Sequence, residues 1–169
     1  NMLAAHMDID NVFHRQTVSN FWQAPNLAQK QGLKAVDMFD AIAQRKIKAL
    51  WIMATNPADS LPNAAAVEAA IAACDFVVVS DILEITDTMR HAHVKLPATA
   101  WGEKNGTVTN SERRISRQRA FMPVPGETRP DWWHLAEVAK RMGFEDAFDY
   151  PDAYSIFAEH VALSAKDND

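Results

Sequence analysis

The sequence holds a single cysteine, Cys74. One thiol can form neither an internal disulfide nor a cysteine-only metal site. It lies in the stretch Ala72-Ala73-Cys74-Asp75-Phe76, where a small buried thiol is the expected state. Such sparse use of cysteine suits a reducing cytoplasm. Long apolar runs are also missing. Nothing approaches the roughly 18 consecutive apolar residues of a membrane span, and no charged leader followed by an apolar stretch opens the sequence. There is no Gly-x-Gly-x-x-Gly turn and no lysine-bearing phosphate loop, which argues against an ordinary NAD site or P-loop. Positive charge is not in excess: 17 basic residues face 22 acidic ones, for a formal net charge of -5. That balance argues against broad nucleic-acid binding. Internal repeats and low-complexity tracts are absent.

What is present suits one soluble globular α/β domain: 169 residues, 48% hydrophobic and 23% charged, enough to bury a real core. The chain opens on Asn1 ahead of Met2 and closes on the polar Ser164-Ala165-Lys166-Asp167-Asn168-Asp169. An internal piece of a longer protein is expected. Four stretches are expected within it: an irregular or helical lead-in over 1–30, a βαβ core over 31–97, a loop region over 98–130, and C-terminal helices over 131–169.

Periodicity supports this order. Val12 to Trp22 reads as a short helix. Leu33 to Lys46 reads as an amphipathic one, with Val36, Phe39, Ile42 and Ala43 on one face. Ile47 to Ala54 is nearly unbroken apolar sequence ended by Asn56-Pro57, the pattern of a strand buried on both faces. Asn63 should cap a helix over Ala64–Ala73. A second apolar run, Phe76-Val77-Val78-Val79, follows and ends at Ser80-Asp81. Strand, helix, strand over so short a span is a βαβ unit with a right-handed crossover. Thr86 or Asp87 could cap a short helix toward His93, and Val94–Pro97 reads as a third strand ended by Pro97. Asp131 should cap a helix over Trp132–Met142 that stops at Gly143, with one more helix near Ala153–Leu163. A small parallel sheet flanked by helices, Rossmann-like in three layers, is the expected architecture.

In such sheets ligands sit at the carboxyl ends of the strands. Thr55-Asn56-Pro57 offers a hydroxyl and an amide there. Ser80-Asp81 offers a hydroxyl and a carboxylate able to accept hydrogen bonds from a ribose diol or a guanine edge. Asn56 reads equally as a turn former before Pro57, and Asp81 as a cap. From Glu103 to Arg119, five basic residues (Lys104, Arg113, Arg114, Arg117, Arg119) outnumber Glu103 and Glu112. This stretch is either an anion patch or a solvated charged loop. His91-Ala92-His93 has the spacing of a ligand pair on a strand but reads as a helix end without a third ligand. No nucleophile–base arrangement is legible, and no catalytic or metal-ligating residue is assigned.

At these residues a family likeness emerges. Leu50 to Pro57, Val77 to Asp81, Leu96-Pro97-Ala98, Trp101-Gly102-Glu103-Lys104 and Thr109 to Arg114 resemble the molybdopterin oxidoreductases of the DMSO-reductase family. Ala4 to Asp8 and Pro125 to Trp133 share the likeness, which runs from about Leu3 to Phe144 and points toward its assimilatory, nitrate-reducing branch. The resemblance implies a bis(molybdopterin guanine dinucleotide) molybdenum cofactor contacted by Asn56, Ser80, Asp81, Lys104 and Asp131, with Thr86 and Thr88 as weaker candidates. It implies a 4Fe-4S cluster in the full-length enzyme, outside this segment. It further implies two kinds of partner: the remaining domains of the same polypeptide, and an electron-donor protein or subunit. The segment alone is not expected to reduce nitrate. Two other readings stay open: a piece of a related formate dehydrogenase, and a non-catalytic α/β binding module that uses the Arg113–Arg119 cluster.

Overall fold

A computed structural model describes residues 2–166 and 168. Its elements run β1 (Met2–Ala4), β2 (Met7–Asp8), α1 (Val12–Trp22), α2 (Ala35–Ala43), β3 (Ala49–Met53), α3 (Pro57–Ser60), α4 (Ala64–Ala73), β4 (Phe76–Asp81), β5 (Val94–Pro97), β6 (Gly106–Thr109), β7 (Ile115–Gln118), α5 (Asp131–Arg141) and α6 (Ala153–Ser164). Short 3-10 turns occupy Met89–His91 and Trp101–Glu103. The chain divides into two compact units.

One unit holds residues 33–104 and 119–135. Its sheet has the order β3-β4-β5, and both pairings are parallel. This is the expected small parallel sheet with helices packed on it. Side chains alternate across a strand, so Leu50, Ile52, Val77 and Val79 face a core shared with Phe39 and Ile42 of α2 and Val67, Ala70 and Ile71 of α4. Each large aliphatic side chain buried there stabilises the fold by roughly 1.5–3 kcal/mol. Trp51 and Ser80 take the opposite face, where the Trp51 indole N–H donates to Ser80 Oγ at 2.9 Å.

Several details depart from expectation, each for a local reason. Burial on both faces suits β4, where Val77, Val79 and Ser80 are inaccessible. It does not suit β3, which lies at the sheet edge with Ile52 as its one buried residue. Helix α2 stops at Ala43 because Arg45 adopts a left-handed φ of 57°; the Lys46 N–H then reaches back to the Ala41 carbonyl at 2.9 Å. Val36 is exposed rather than part of the packed face. Asn63 precedes α4 but forms no side-chain cap; its φ of 56° turns the chain instead, and its carbonyl receives the N–H groups of Ala66 and Val67. Asp131 is likewise the first residue of α5 rather than its cap, since the Pro130 carbonyl receives the N–H groups of Trp133 and His134.

The other unit holds residues 1–32, 105–118 and 136–169. The pair β1–β2 and helices α1 and α6 contribute to a small core of Met7, Val18 and Leu163. Asn11 caps α1 by accepting from the Phe13 and His14 N–H groups. Glu159 accepts from the Trp22 indole N–H at 2.9 Å and from the Tyr150 hydroxyl at 2.7 Å. Burial and that carboxylate push the Tyr150 pKa up to about 12. Where an irregular loop was expected, β6 and β7 form an antiparallel hairpin with Thr107 opposite Arg117 and Thr109 opposite Ile115. Its turn is built by Asn110 Oδ1, which accepts from the Glu112 and Arg114 N–H groups, with Arg113 at a φ of 61°.

Candidate functional site

Parallel pairing brings the carboxyl ends of β3, β4 and β5 to one edge of their sheet. Each end carries polar groups, but in different states.

Beyond β3 the chain turns at Ala54, whose φ of 53° is unusual for a residue with a Cβ. Its N–H donates to the Ser80 carbonyl at 3.1 Å. The turn leads into half-buried Asn56. Asn56 Oδ1 accepts from both the Thr88 N–H at 3.1 Å and the Thr88 hydroxyl at 2.7 Å. Thr88 is fully buried, and its Oγ1 in turn receives the Ala58 N–H at 3.1 Å. The carbonyl end of Asn56 is therefore committed to the fold, which leaves its amide N–H groups as the donors for a ligand.

At the end of β4, Ser80 is inaccessible and its hydroxyl is engaged by Trp51. It lies beneath the edge rather than on it. Asp81 is partly exposed. One carboxylate oxygen accepts the Leu83 N–H at 3.0 Å, and the other has acceptor capacity to spare. Thr86 Oγ1 receives the N–H of Met89, the first residue of the 3-10 turn, at 3.0 Å. Between them Ile82, Leu83 and Ile85 are exposed.

At the end of β5 the chain passes through Ala98 and Thr99 and is met by the returning segment at Arg129. Ala98 and Arg129 form a parallel bridge, and the Thr99 N–H donates to the Arg129 carbonyl at 3.1 Å. Asp131 opens α5 two residues later. Lys104 Nζ lies 3.8 Å from Asp131 Oδ2. The Lys104 loop is held by Gly102, whose carbonyl accepts the N–H groups of Phe121 and Met122, both at 2.9 Å. A Cβ on Gly102 would lie 2.9 Å from Phe121 Cζ, so glycine permits that close approach.

Five of the six expected contact residues thus fall at this edge, with Asn56 at the β3 end, Asp81 and Thr86 around the β4 end, and Lys104 with Asp131 at the β5 end, while Ser80 is buried beneath it. Two further residues belong beside the last pair. Thr99 and His134 are buried, and Thr99 Oγ1, His134 Nδ1 and Asp131 Oδ1 are inaccessible atoms with no hydrogen-bond partner among the described residues. The available signal was positional: Thr99 lies two residues past the end of β5, and His134 stands one helical turn from Asp131. Burial lowers the His134 pKa from its ordinary 6.5; Asp131 opposes that shift and Arg129 adds to it.

The other sequence candidates lie elsewhere. His91 Nε2 is 3.0 Å from Glu68 Oε1, and His93 Nδ1 accepts the Val77 N–H at 3.0 Å. Among the described residues no group of His, Cys, Asp and Glu could hold a metal ion. Arg113, Arg114, Arg117 and Arg119 are exposed and form no ion pair among the described residues. Cys74 is buried, with its Sγ 3.7 Å from the Phe76 carbonyl. A mostly apolar recess of about 260 Å³ beside α2 and β3 is lined chiefly by Met38, Phe39, Leu50, Ile52 and Leu61, with Thr55 and Ser60 also lining it and no charged side chain.

Residues 2–141 match the model of the molybdopterin oxidoreductase family. The chain belongs to that family. It is 54% identical over 168 residues to a nitrate reductase of Klebsiella oxytoca, a match covering 99% of this chain and 19% of the relative. To a formate dehydrogenase subunit alpha of Methanocaldococcus jannaschii it is 40% identical over 139 residues, covering 82% of this chain and 20% of the relative. The chain therefore spans about a fifth of the length of these relatives. In three dimensions it resembles the acetylene hydratase of Pelobacter acetylenicus with a TM-score of 0.65 at 23% identity, covering 76% of this chain and 18% of that one. That likeness is one of fold. No helix among the described residues is long and apolar enough to cross a membrane.

Membership implies a molybdenum–pterin cofactor. The residues present suit such a group: three buried polar atoms at the β5 end lack partners among the described residues, Asp81 has acceptor capacity, and the Lys104 ammonium lies 3.8 Å from the Asp131 carboxylate.

Proposed function

We propose that this chain forms part of the wall that holds a molybdopterin guanine dinucleotide in a cytoplasmic, molybdenum-dependent nitrate reductase. The observation that carries the reading is the gathering of Asn56, Asp81, Thr86, Lys104 and Asp131 at one sheet edge in a chain 54% identical to a nitrate reductase. Asn56 presents amide N–H donors, since its carbonyl is held by Thr88. Asp81 accepts from a ribose diol or a guanine edge with the carboxylate oxygen that Leu83 leaves open. Lys104 places positive charge for the anionic part of the cofactor, and Asp131 accepts a further hydrogen bond. Thr86 holds the Met89 N–H in the segment that follows Asp81, while Ser80 supports the edge from below through Trp51. When bound in bis form, the cofactor's molybdenum supplies the two-electron chemistry that removes oxygen from nitrate to leave nitrite. This chain binds and orients. An iron-sulfur cluster, the remaining domains of the polypeptide and an electron-donor protein complete the enzyme.

Asp81→Ala in the full-length protein tests the reading. Guanine nucleotide and molybdenum released from the purified, denatured variant should fall several-fold. Unchanged content of both would sink the assignment. A second reading, a formate dehydrogenase piece, is favoured by the 40% identity to such a subunit. Turnover of the complete protein with nitrate and with formate separates the two.

A further inference from the structure

Thr99, Asp131 and His134 share one small region of the fold. The Thr99 N–H is bonded to the Arg129 carbonyl at 3.1 Å, Asp131 follows two residues on, and His134 lies one helical turn further. Thr99 is 1% exposed and His134 6%, and each has a polar atom without a partner among the described residues, as does Asp131. Buried polar groups are nearly always hydrogen-bonded, because an unmet one keeps its full desolvation penalty. Three residues with such atoms, brought to one strand's carboxyl end by the Thr99–Arg129 bond and the start of α5, mark a place completed by something other than the described residues.

The chemistry of the three atoms limits what completes it. The Asp131 oxygen only accepts. The Thr99 hydroxyl donates and accepts, and a neutral imidazole does one at each nitrogen. Burial favours the neutral ring for His134, in agreement with the direction of its shift. A group that fits must offer N–H to the carboxylate and a carbonyl or ring nitrogen to the hydroxyl and imidazole. A phosphate fits poorly, since it would place an anion against the Asp131 oxygen. We propose that Thr99 and His134 join Asp131 in a subsite for an aminopyrimidinone edge, the flat N–H and C=O face that guanine and a pterin ring have in common. This rests on the nucleotide-cofactor reading above and extends it to two residues.

The test uses the full-length protein with Thr99→Val and His134→Leu, against Thr99→Ser and His134→Asn, which restore a hydroxyl and a Nδ1-like group. Cofactor content is read as released guanine nucleotide and oxidised pterin. Stability of the cofactor-free protein is read by thermal melting. The apolar variants should lose cofactor several-fold while the cofactor-free Tm stays level or rises, and the two polar variants should recover most of the cofactor. A merely structural role would move both readings downward together. Unaltered cofactor content in Thr99→Val and His134→Leu overturns the inference. If Asp81→Ala loses cofactor but these variants do not, only the subsite falls; if all three retain it, the wider reading falls as well. Tryptophan-fluorescence titration of cofactor-free protein with GDP and with 6-hydroxymethylpterin identifies the ring. A response weakened by Thr99→Val for one probe assigns that ring. An identical response of variant and wild type to both probes overturns the aminopyrimidinone assignment.

Discussion

The β3 and β4 ends differ from the β5 end in how far their polar groups are satisfied. At the first two, Asn56 is locked to Thr88, Thr88 to Ala58, Ser80 to Trp51, Asp81 to Leu83 and Thr86 to Met89. At the third, Thr99, Asp131 and His134 each keep an unmet buried atom. The same residue types thus do opposite work within one sheet edge. A network whose buried atoms are partnered holds its own shape before any ligand arrives, while one with unmet buried atoms carries a penalty that a ligand can remove.

Threonine to valine, made once at each end, tests this contrast most directly. Thr88→Val strands the buried Ala58 N–H and frees Asn56, and should cost about 2–3 kcal/mol of stability in chemical denaturation. A loss below about 0.5 kcal/mol would show that the network is not holding the edge. Ser80→Ala removes one part-buried bond to Trp51 and should cost about 1 kcal/mol in the same assay, with altered Trp51 fluorescence. Thr99→Val should go the other way in cofactor-free protein, gaining a few tenths of a kcal/mol up to about 1, because it deletes an unmet buried hydroxyl. A loss as large as that of Thr88→Val would erase the distinction between the ends.

The smallest effect concerns pH. Burial holds the His134 pKa below 6.5 in the folded protein, with Asp131 raising it and Arg129 lowering it further. The unfolded chain then takes up the proton first as pH falls. Stability from this group is therefore complete above 6.5 and declines as pH drops through that value toward the folded one. His134→Asn should flatten that limb of the pH–stability profile, and an unchanged limb would show that His134 titrates as it does when unfolded.

Much of this architecture was legible in the residues. Uninterrupted aliphatic runs ending in Asn-Pro and Ser-Asp marked β3 and β4, because both period and punctuation belong to local sequence. Their right assignment placed Asn56 and Asp81 at the edge. Three features were not legible. The β6–β7 hairpin has its exposed face made by Thr107, Thr109 and Arg117, so polarity hid its alternation. Asn63 has the composition of a cap but a left-handed backbone, and Asn suits both uses. Thr99 and His134 are set by the return of the chain to Ala98 at Arg129, a long-range pairing that no local window contains.

Cys74 acquires a use from its position. It is 5% exposed, at the junction of α4 and β4 and in the same core as Val77 and Ile71. A thiol reagent can reach it only when that layer parts, so its modification rate in this chain is a clock for local opening of the parallel sheet. With no second cysteine in these 169 residues, every labelled molecule of the chain carries its mark at one known position in the core.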